Sequence, residues 1–140
     1  MRLYLDASVL VALHTPDRFQ ERATGLIDRL RPELLLSDFG AAEFSSAVAR
    51  MVRTGLLKEP DARVCFDDFD LWSTRDAVAA AVESADIRAA DGFVRRMDTA
   101  LRAPDAIHLA VARRLDASLA TFDRQLAVAG KLLGVTVAEM

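Results

Sequence analysis

The apolar residues of this chain follow two kinds of spacing along its length. Four short, nearly unbroken runs predict β-strands: residues 2–6, 34–36, 119–121 and 134–137. Between them, apolar residues recur every three or four positions, which predicts amphipathic helices. These helices are expected to begin after Thr15, to run from a cap at Ser37 to a stop at Gly55, and to cover 60–72, 84–97, 104–115 and 123–131. Strands that alternate with helices predict an α/β fold with a short, mostly parallel central sheet and helices on both faces.

The composition is typical of a compact globular protein. With 140 residues and no repeat, low-complexity tract or linker, the chain is expected to form one domain over residues 1–140. No apolar run approaches the roughly 18 residues that a membrane span needs. The one cysteine, Cys65, has no partner for an internal disulfide or a thiolate zinc site. We therefore expect a cytoplasmic protein that does not associate with membranes.

Four acidic residues stand at positions where a parallel sheet places its ligands. Asp6 directly follows the first strand, and Asp123 follows the strand 119–121 in the stretch LATFD. Glu43 lies early in the helix that begins at Ser37, and Asp105 opens the helix in APDAIHLAVARRL. Ligands of parallel sheets bind outside the carboxyl ends of the strands. Each acid also has a structural explanation, because Asp6, Asp105 and Asp123 are suited to helix N-termini and Glu43 to a solvated face.

The chemistry of these residues favours a divalent metal ion. The first thirteen residues contain no cation that matches Asp6, since Arg2 is a strand length away. Several acids in one crevice repel each other unless a cation binds among them. Carboxylates without pairs of Cys or His favour Mg²⁺ or Mn²⁺ over zinc or copper. His108, one turn after Asp105, is expected to be packed or hydrogen-bonded, and His14 is given no functional role.

Four segments together carry a family resemblance: YLDASVLVAL, SDFGAAEFSSAVAR, RAPDAIHLAVARRL and LATFDRQL. They resemble the PIN-domain ribonucleases, above all the VapC-type toxins of bacterial type II toxin–antitoxin systems, and they span nearly the whole chain in the family's order. The resemblance implies a PIN-like fold and a catalytic, metal-binding set of Asp6, Glu43, Asp105 and Asp123. It also implies that Ser8 and Thr121 supply hydroxyl groups near the metal. Ala7 stands where the family often has Thr or Ser, so the supporting role is assigned to Ser8.

The resemblance further implies an activity and partners. It implies an Mg²⁺- or Mn²⁺-dependent endoribonuclease that leaves a 5′-phosphate, with transfer RNA as the first substrate to test. In this interpretation Asp6 and either Asp105 or Asp123 bind the metal directly, and Glu43 holds the attacking water and serves as base. The family also implies a homodimer and a cognate VapB-like antitoxin.

The charge of the chain bears on how it would bind RNA. A formal net charge of −3 lacks the basic excess typical of nucleic-acid binders. Leaving the four proposed metal ligands out of the count changes that charge to +1. Arg95, Arg96 and Arg102 are the first candidates for contacts with RNA, followed by Arg113, Arg114 and Arg124. Because exposed aromatic residues are scarce, we expect recognition of RNA shape and phosphates in preference to many stacked bases.

Other functions fit the sequence less well. The main alternative is a non-catalytic PIN-like module that binds RNA or protein. A phosphatase of the haloacid dehalogenase type needs a second aspartate two residues after the first, where this chain has Ser8. A nucleotide- or dinucleotide-binding protein needs a glycine-rich loop after the first strand, and ASVLVALH contains no glycine. A metal-independent ribonuclease usually needs a pair of histidines to transfer protons, and both histidines here have structural contexts.

Overall fold

The computed structural model describes residues 1–140 and contains one four-stranded sheet with seven helices. The strands are β1 (Arg2–Leu5), β2 (Glu33–Ser37), β3 (Ala77–Ala80) and β4 (Ser118–Ala120). The helices are α1 (Ala7–His14), α2 (Gln20–Leu30), α3 (Asp38–Arg53), α4 (Glu59–Asp76), α5 (Ser84–Arg95), α6 (Ala103–Arg114) and α7 (Arg124–Leu132). The strand order is β3-β2-β1-β4, and every pairing is parallel. The predicted α/β class with a parallel sheet is confirmed.

Two apolar layers cover the sheet, because successive residues of a strand point to opposite faces. Tyr4 packs on one face with residues of α5, α6 and α7. Leu3 and Leu5 pack on the other face with residues of α1 to α4. The helices therefore lie on both faces, as the unbroken apolar strands predicted. None of the helices combines the length and the apolar composition that crossing a bilayer requires.

Local signals define the central helix well. The Ser37 hydroxyl accepts a hydrogen bond of 2.9 Å from the Gly40 N–H, as expected of an N-cap. The helix ends at Arg53, and Gly55 follows with a φ of 76°, a left-handed conformation that glycine adopts without strain. The predicted helix from Ser37 to Gly55 is therefore confirmed.

Three local predictions differ from the structure. Residues 134–137 form only an isolated parallel bridge, between Val137 and Leu119, and not a full strand. Strand β3, which the sequence pattern did not indicate, has the small residues AVAA and is held by its pairing with β2. Thr15 caps the end of α1, since its N–H and hydroxyl both donate to the Val11 carbonyl. The next helix, α2, begins at Gln20.

Candidate active site

Asp6 is a buried carboxylate at the carboxyl end of β1. Its residue is 4% exposed, and its Oδ1 accepts hydrogen bonds from the Ser8 hydroxyl at 2.6 Å and the Val9 N–H at 3.1 Å. Its Oδ2 accepts a hydrogen bond from the Thr121 hydroxyl at 2.5 Å. Burial raises the pKa of Asp6, and the three hydrogen bonds oppose that rise. Asp6 is thus the N-cap of α1, which is the structural role that the sequence offered for it. No basic side chain forms an ion pair with it.

Strand pairing creates this arrangement. β1 and β4 are neighbouring parallel strands in which Leu5 lies opposite Ala120. The next residue of each strand is polar, so Asp6 and Thr121 meet at the same edge of the sheet. Carboxyl ends of parallel strands form the usual ligand crevice of such folds. Topology therefore places the predicted hydroxyl of Thr121 against the predicted acid.

The same two hydroxyls hold the loop that carries Asp123. The Ser8 Oγ accepts a hydrogen bond of 2.9 Å from the Phe122 N–H, and the Thr121 Oγ1 accepts one of 3.0 Å from the Asp123 N–H. Asp123 is the N-cap of α7, where its Oδ1 accepts from two backbone N–H groups at 2.8 and 3.1 Å. Thr121 consequently connects Asp6 with Asp123, and the exposed Asp123 retains a second oxygen for other contacts.

Glu43 belongs to a second network of hydrogen bonds. The His108 Nε2–H donates to the Glu43 Oε2 at 2.5 Å, which leaves the buried Nδ1 to accept from the Tyr4 hydroxyl at 2.9 Å. The Tyr4 oxygen in turn lies 2.7 Å from the Ser37 Oγ, which can donate to it. If His108 is neutral with its proton on Nε2, every donor and acceptor in this series of hydrogen bonds has a partner. The expectation of a hydrogen-bonded His108 is confirmed.

Tyr4 and Ser37 are site residues that the sequence did not suggest. The available signal was a tyrosine inside an otherwise aliphatic buried strand, since a buried hydroxyl needs a partner. Tyr4 is fully buried, and burial raises its pKa above the ordinary value for tyrosine. The hydroxyl therefore remains protonated and donates to His108, which orients the ring toward Glu43.

Asp105 is the third residue of α6, one turn before His108 on the same side of the helix. It is half-buried and makes no hydrogen bond or ion pair within the chain. His108 thus connects Glu43 with the helix that carries Asp105. Three of the four predicted acids lie in two networks, Asp6 and Asp123 in one and Glu43 in the other, whereas Asp105 joins neither by a hydrogen bond.

The donor set fits a hard divalent cation, although no three acidic, histidine or cysteine side chains are already gathered into a ready metal cluster. All the candidate ligands are carboxylates, and none of the four is paired with Arg or Lys. A carboxylate has about four lone-pair sites, so Asp6 keeps capacity beyond its three hydrogen bonds. Glu43 keeps its Oε1 and Asp123 its Oδ2. Oxygen-only donors with free capacity are those that Mg²⁺ and Mn²⁺ prefer.

The three arginines proposed first for RNA contact have mixed surroundings. Arg95 forms an ion pair with Asp91 at 3.0 Å, and Arg96 forms one with Asp98 at 2.7 Å. Arg102 is exposed at the start of α6 and has no acidic partner. Arg102 is therefore the member of this set whose charge is free to meet a phosphate.

Comparison with known proteins identifies the family. Residues 3–132 match the PIN domain family. The chain is 31% identical over 127 residues to ribonuclease VapC3 of Pyrobaculum aerophilum. This alignment covers 91% of this chain and 93% of that relative.

Solved structures show the same fold. VapC20 of Mycobacterium tuberculosis, a Sarcin-Ricin loop cleaving toxin, matches with a TM-score of 0.73 and 19% identity over 91% of this chain and 95% of that one. VapBC2 from Rickettsia felis, bound to a DNA fragment from their promoter, matches with a TM-score of 0.74 and 10% identity over 99% and 98% of the two chains. The family match spans nearly the whole chain, and the predicted PIN-like architecture is confirmed. The chain belongs to the PIN-domain family, among its VapC-type members.

Proposed function

We propose that this protein is an Mg²⁺- or Mn²⁺-dependent endoribonuclease that acts as the toxin of a toxin–antitoxin pair. The observation that carries the proposal is the buried Asp6 carboxylate, which lies at the ligand-binding edge of the sheet and forms no ion pair with a basic side chain. Burying an unpaired charge is costly, and the hydroxyls of Ser8 and Thr121 hold it in place. A bound divalent cation would complete this site.

The proposed chemistry is hydrolysis of an RNA phosphodiester bond. When bound, the metal ion supplies positive charge that lowers the pKa of water and stabilises a phosphoryl oxygen. Asp6 and either Asp105 or Asp123 would hold it, with Ser8 and Thr121 fixing the Asp6 carboxylate. Glu43 would accept the proton of the attacking water on Oε1, because its Oε2 is occupied by His108.

The proposed partners follow from the family. The relative at 31% identity is a ribonuclease by name, and solved relatives include a VapBC assembly. We infer a VapB-like antitoxin, a homodimer, a cytoplasmic location and the whole of residues 1–140 acting as one PIN domain. Transfer RNA is the first substrate to test. Because VapC20 is a Sarcin-Ricin loop cleaving toxin, an RNA of that loop is the second.

One cleavage assay tests the proposal. End-labelled transfer RNA and a Sarcin-Ricin loop RNA are incubated with the purified protein in Mg²⁺, Mn²⁺ or EDTA, beside Asp6→Ala and the control Asp67→Ala. Asp67 is an exposed acid of α4, outside both networks. Cleavage should require metal, leave 5′-phosphate ends, disappear in Asp6→Ala and persist in Asp67→Ala. Equal cleavage by Asp6→Ala would refute the site. RNA binding without cleavage would favour the non-catalytic PIN-like module.

A further inference from the structure

Two phenylalanines lie beside the Asp6 network and stack on each other. Phe19 is the N-cap residue of α2, and Phe122 lies in the loop after β4. Their ring centroids are 4.4 Å apart and their planes differ by 8°. The Phe122 N–H donates to the Ser8 hydroxyl, which donates to Asp6. The aromatic pair is therefore fixed to the acidic site by two consecutive hydrogen bonds.

Two arginines lie over this aromatic pair. The Arg18 guanidinium is 4.5 Å from the centroid of Phe19, and that of Arg22 is 5.3 Å from Phe19 and 5.5 Å from Phe122. Neither forms an ion pair with an Asp or Glu side chain. Arg22 donates one hydrogen bond at 2.7 Å, to a main-chain oxygen of Met140, the last residue of the sequence. Because a guanidinium has five N–H donors, both arginines retain donors for an anion.

The pair separates two cavities of different character. One has a volume of about 400 Å³ and is mainly apolar, with Ala7, Val11, Phe19, Ala47 and Phe122 in its walls together with Ser8 and the acids Asp17 and Asp123. The other has a volume of about 360 Å³; its charged side chains are Arg22, Arg124, Lys131, Asp123 and Glu139, and Met140, which accepts from Arg22, also lines it. Both volumes fall within the range of about 300–1,000 Å³ usual for small-molecule sites. Asp123 contributes to both cavities, so both adjoin the proposed cleavage site.

We propose that this region is a subsite for one unpaired nucleotide of the RNA, next to the bond that is cleaved. Its base enters the apolar cavity against Phe19 and Phe122, and its neighbouring phosphates meet Arg18 and Arg22. Aromatic rings bind the faces of unstacked bases, and arginine binds phosphate through planar N–H pairs. The subsite rests on the proposed function and modifies the expectation that RNA is recognised mainly by shape and phosphates.

The charge environment of the subsite differs from that of Arg95 and Arg96. Arg95 and Arg96 carry acidic partners, whereas Arg18 and Arg22 are near aromatic faces and the Asp123 loop. A phosphate next to the cleaved bond must approach the acids, and unpaired cations beside those acids would offset the repulsion. This charge complementarity argues for a nucleotide as the occupant of the two cavities.

Abasic substitution of the substrate tests the subsite. Short RNAs that are cut by the wild-type protein are remade with one base removed at each position around the cleaved bond. At one position, removing the base should lower kcat/KM for the wild type by about 5- to 100-fold, the range for loss of a stacked base. Phe122→Leu should lower kcat/KM on intact RNA by a similar factor and be insensitive to that abasic position. Phe122→Tyr, which keeps the ring, should retain the wild-type profile.

Two controls keep the test specific. Phe66→Leu removes another half-buried ring, on α4 and away from the acids, and should leave the abasic profile unchanged. Thermal unfolding of each variant confirms that the fold is retained. If Phe122→Leu shows the same abasic sensitivity as the wild type, the subsite is refuted while the nuclease function stands.

A binding measurement separates the subsite from the nuclease function. RNAs carrying 2-aminopurine at the critical position, or at successive positions if no cleavage occurs, are titrated with protein in EDTA. A fluorescence change at one position that is lost in Phe122→Leu and kept in Phe122→Tyr supports the subsite even if the protein cuts no RNA. A change that is identical in Phe122→Leu and the wild type refutes it.

Discussion

His14, the last residue of α1, is predicted to make the fold sensitive to mild acid. Its ring packs against Phe44, Phe69 and Trp72, with centroid distances of 5.9, 5.3 and 4.5 Å. Its Nε2 is buried and has no hydrogen-bond partner. Burial lowers the pKa of His14 to about 4, and the charge of Asp68 opposes that change only in part. The folded chain therefore favours neutral His14.

The sign and size of the effect follow from proton binding. In the unfolded chain the pKa of His14 should be about 6.5, so between about pH 6.5 and pH 4 the unfolded state binds more protons than the folded state. The free energy of unfolding must then fall as the pH decreases through this window. With these two pKa values, the free energy of unfolding at pH 5 is about 2 kcal/mol lower than at neutral pH. Because the ring is partly exposed, we expect a loss of about 1–2 kcal/mol.

Urea unfolding measures this loss directly. The signal is the fluorescence of Trp72, the only tryptophan, recorded near pH 7.5 and pH 5 for the wild type and for His14→Leu. His14→Leu should be at least as stable near neutral pH, since it removes an unpartnered buried nitrogen. On acidification the wild type should lose about 1–2 kcal/mol more than His14→Leu. Carboxylates titrate in both proteins, so the difference isolates His14, and equal losses would refute the reasoning.

Three further substitutions should change stability, each measured by urea unfolding. Tyr4→Phe removes the hydroxyl that donates to His108 and should cost about 1–3 kcal/mol; an unchanged midpoint would mean that water replaces it. Arg114→Ala leaves Asp86, which is 2% exposed, without its partner at 2.8 Å. The cost should be about 2–3 kcal/mol, less than for a fully buried pair, and a loss below about 1 kcal/mol would contradict this. Gly130→Ala would place a methyl group 3.0 Å from Val137 and 3.1 Å from Leu109 and should cost about 1–3 kcal/mol; an unchanged midpoint would contradict the tight packing there.

Much of the fold could be predicted because its signals are local. β1 and β2 are short aliphatic runs, and α3 has its own cap at Ser37 and its own stop before Gly55. β3 lacked such signals, because AVAA is weakly β-forming and is fixed by its pairing with β2. Residues 134–137 had a strand-like composition but pair with β4 only through Val137. Pairing partners, which local composition does not encode, decided both cases.

The candidate site likewise has a part that local sequence signals predicted and a part that depends on long-range contacts. Asp6 and Asp123 were predictable at strand ends, and the structure shows that both also cap helices. Their connection through Thr121 was not predictable from spacing, because Thr121 lies 115 positions from Asp6. The partner of His108 was likewise open until α3 and α6 packed together and placed Glu43 beside it.

By itself the sequence determined the class of fold and the order of its main elements, and it led to the proposal of the four acids. These depend on interactions within a helical turn or a strand, or on motifs that persist in a family. Only the tertiary structure decided the Tyr4–His108–Glu43 chain of hydrogen bonds and the stacking of Phe19 on Phe122. Such contacts join distant parts of the chain, and their geometry is set by how the strands pair and the helices pack.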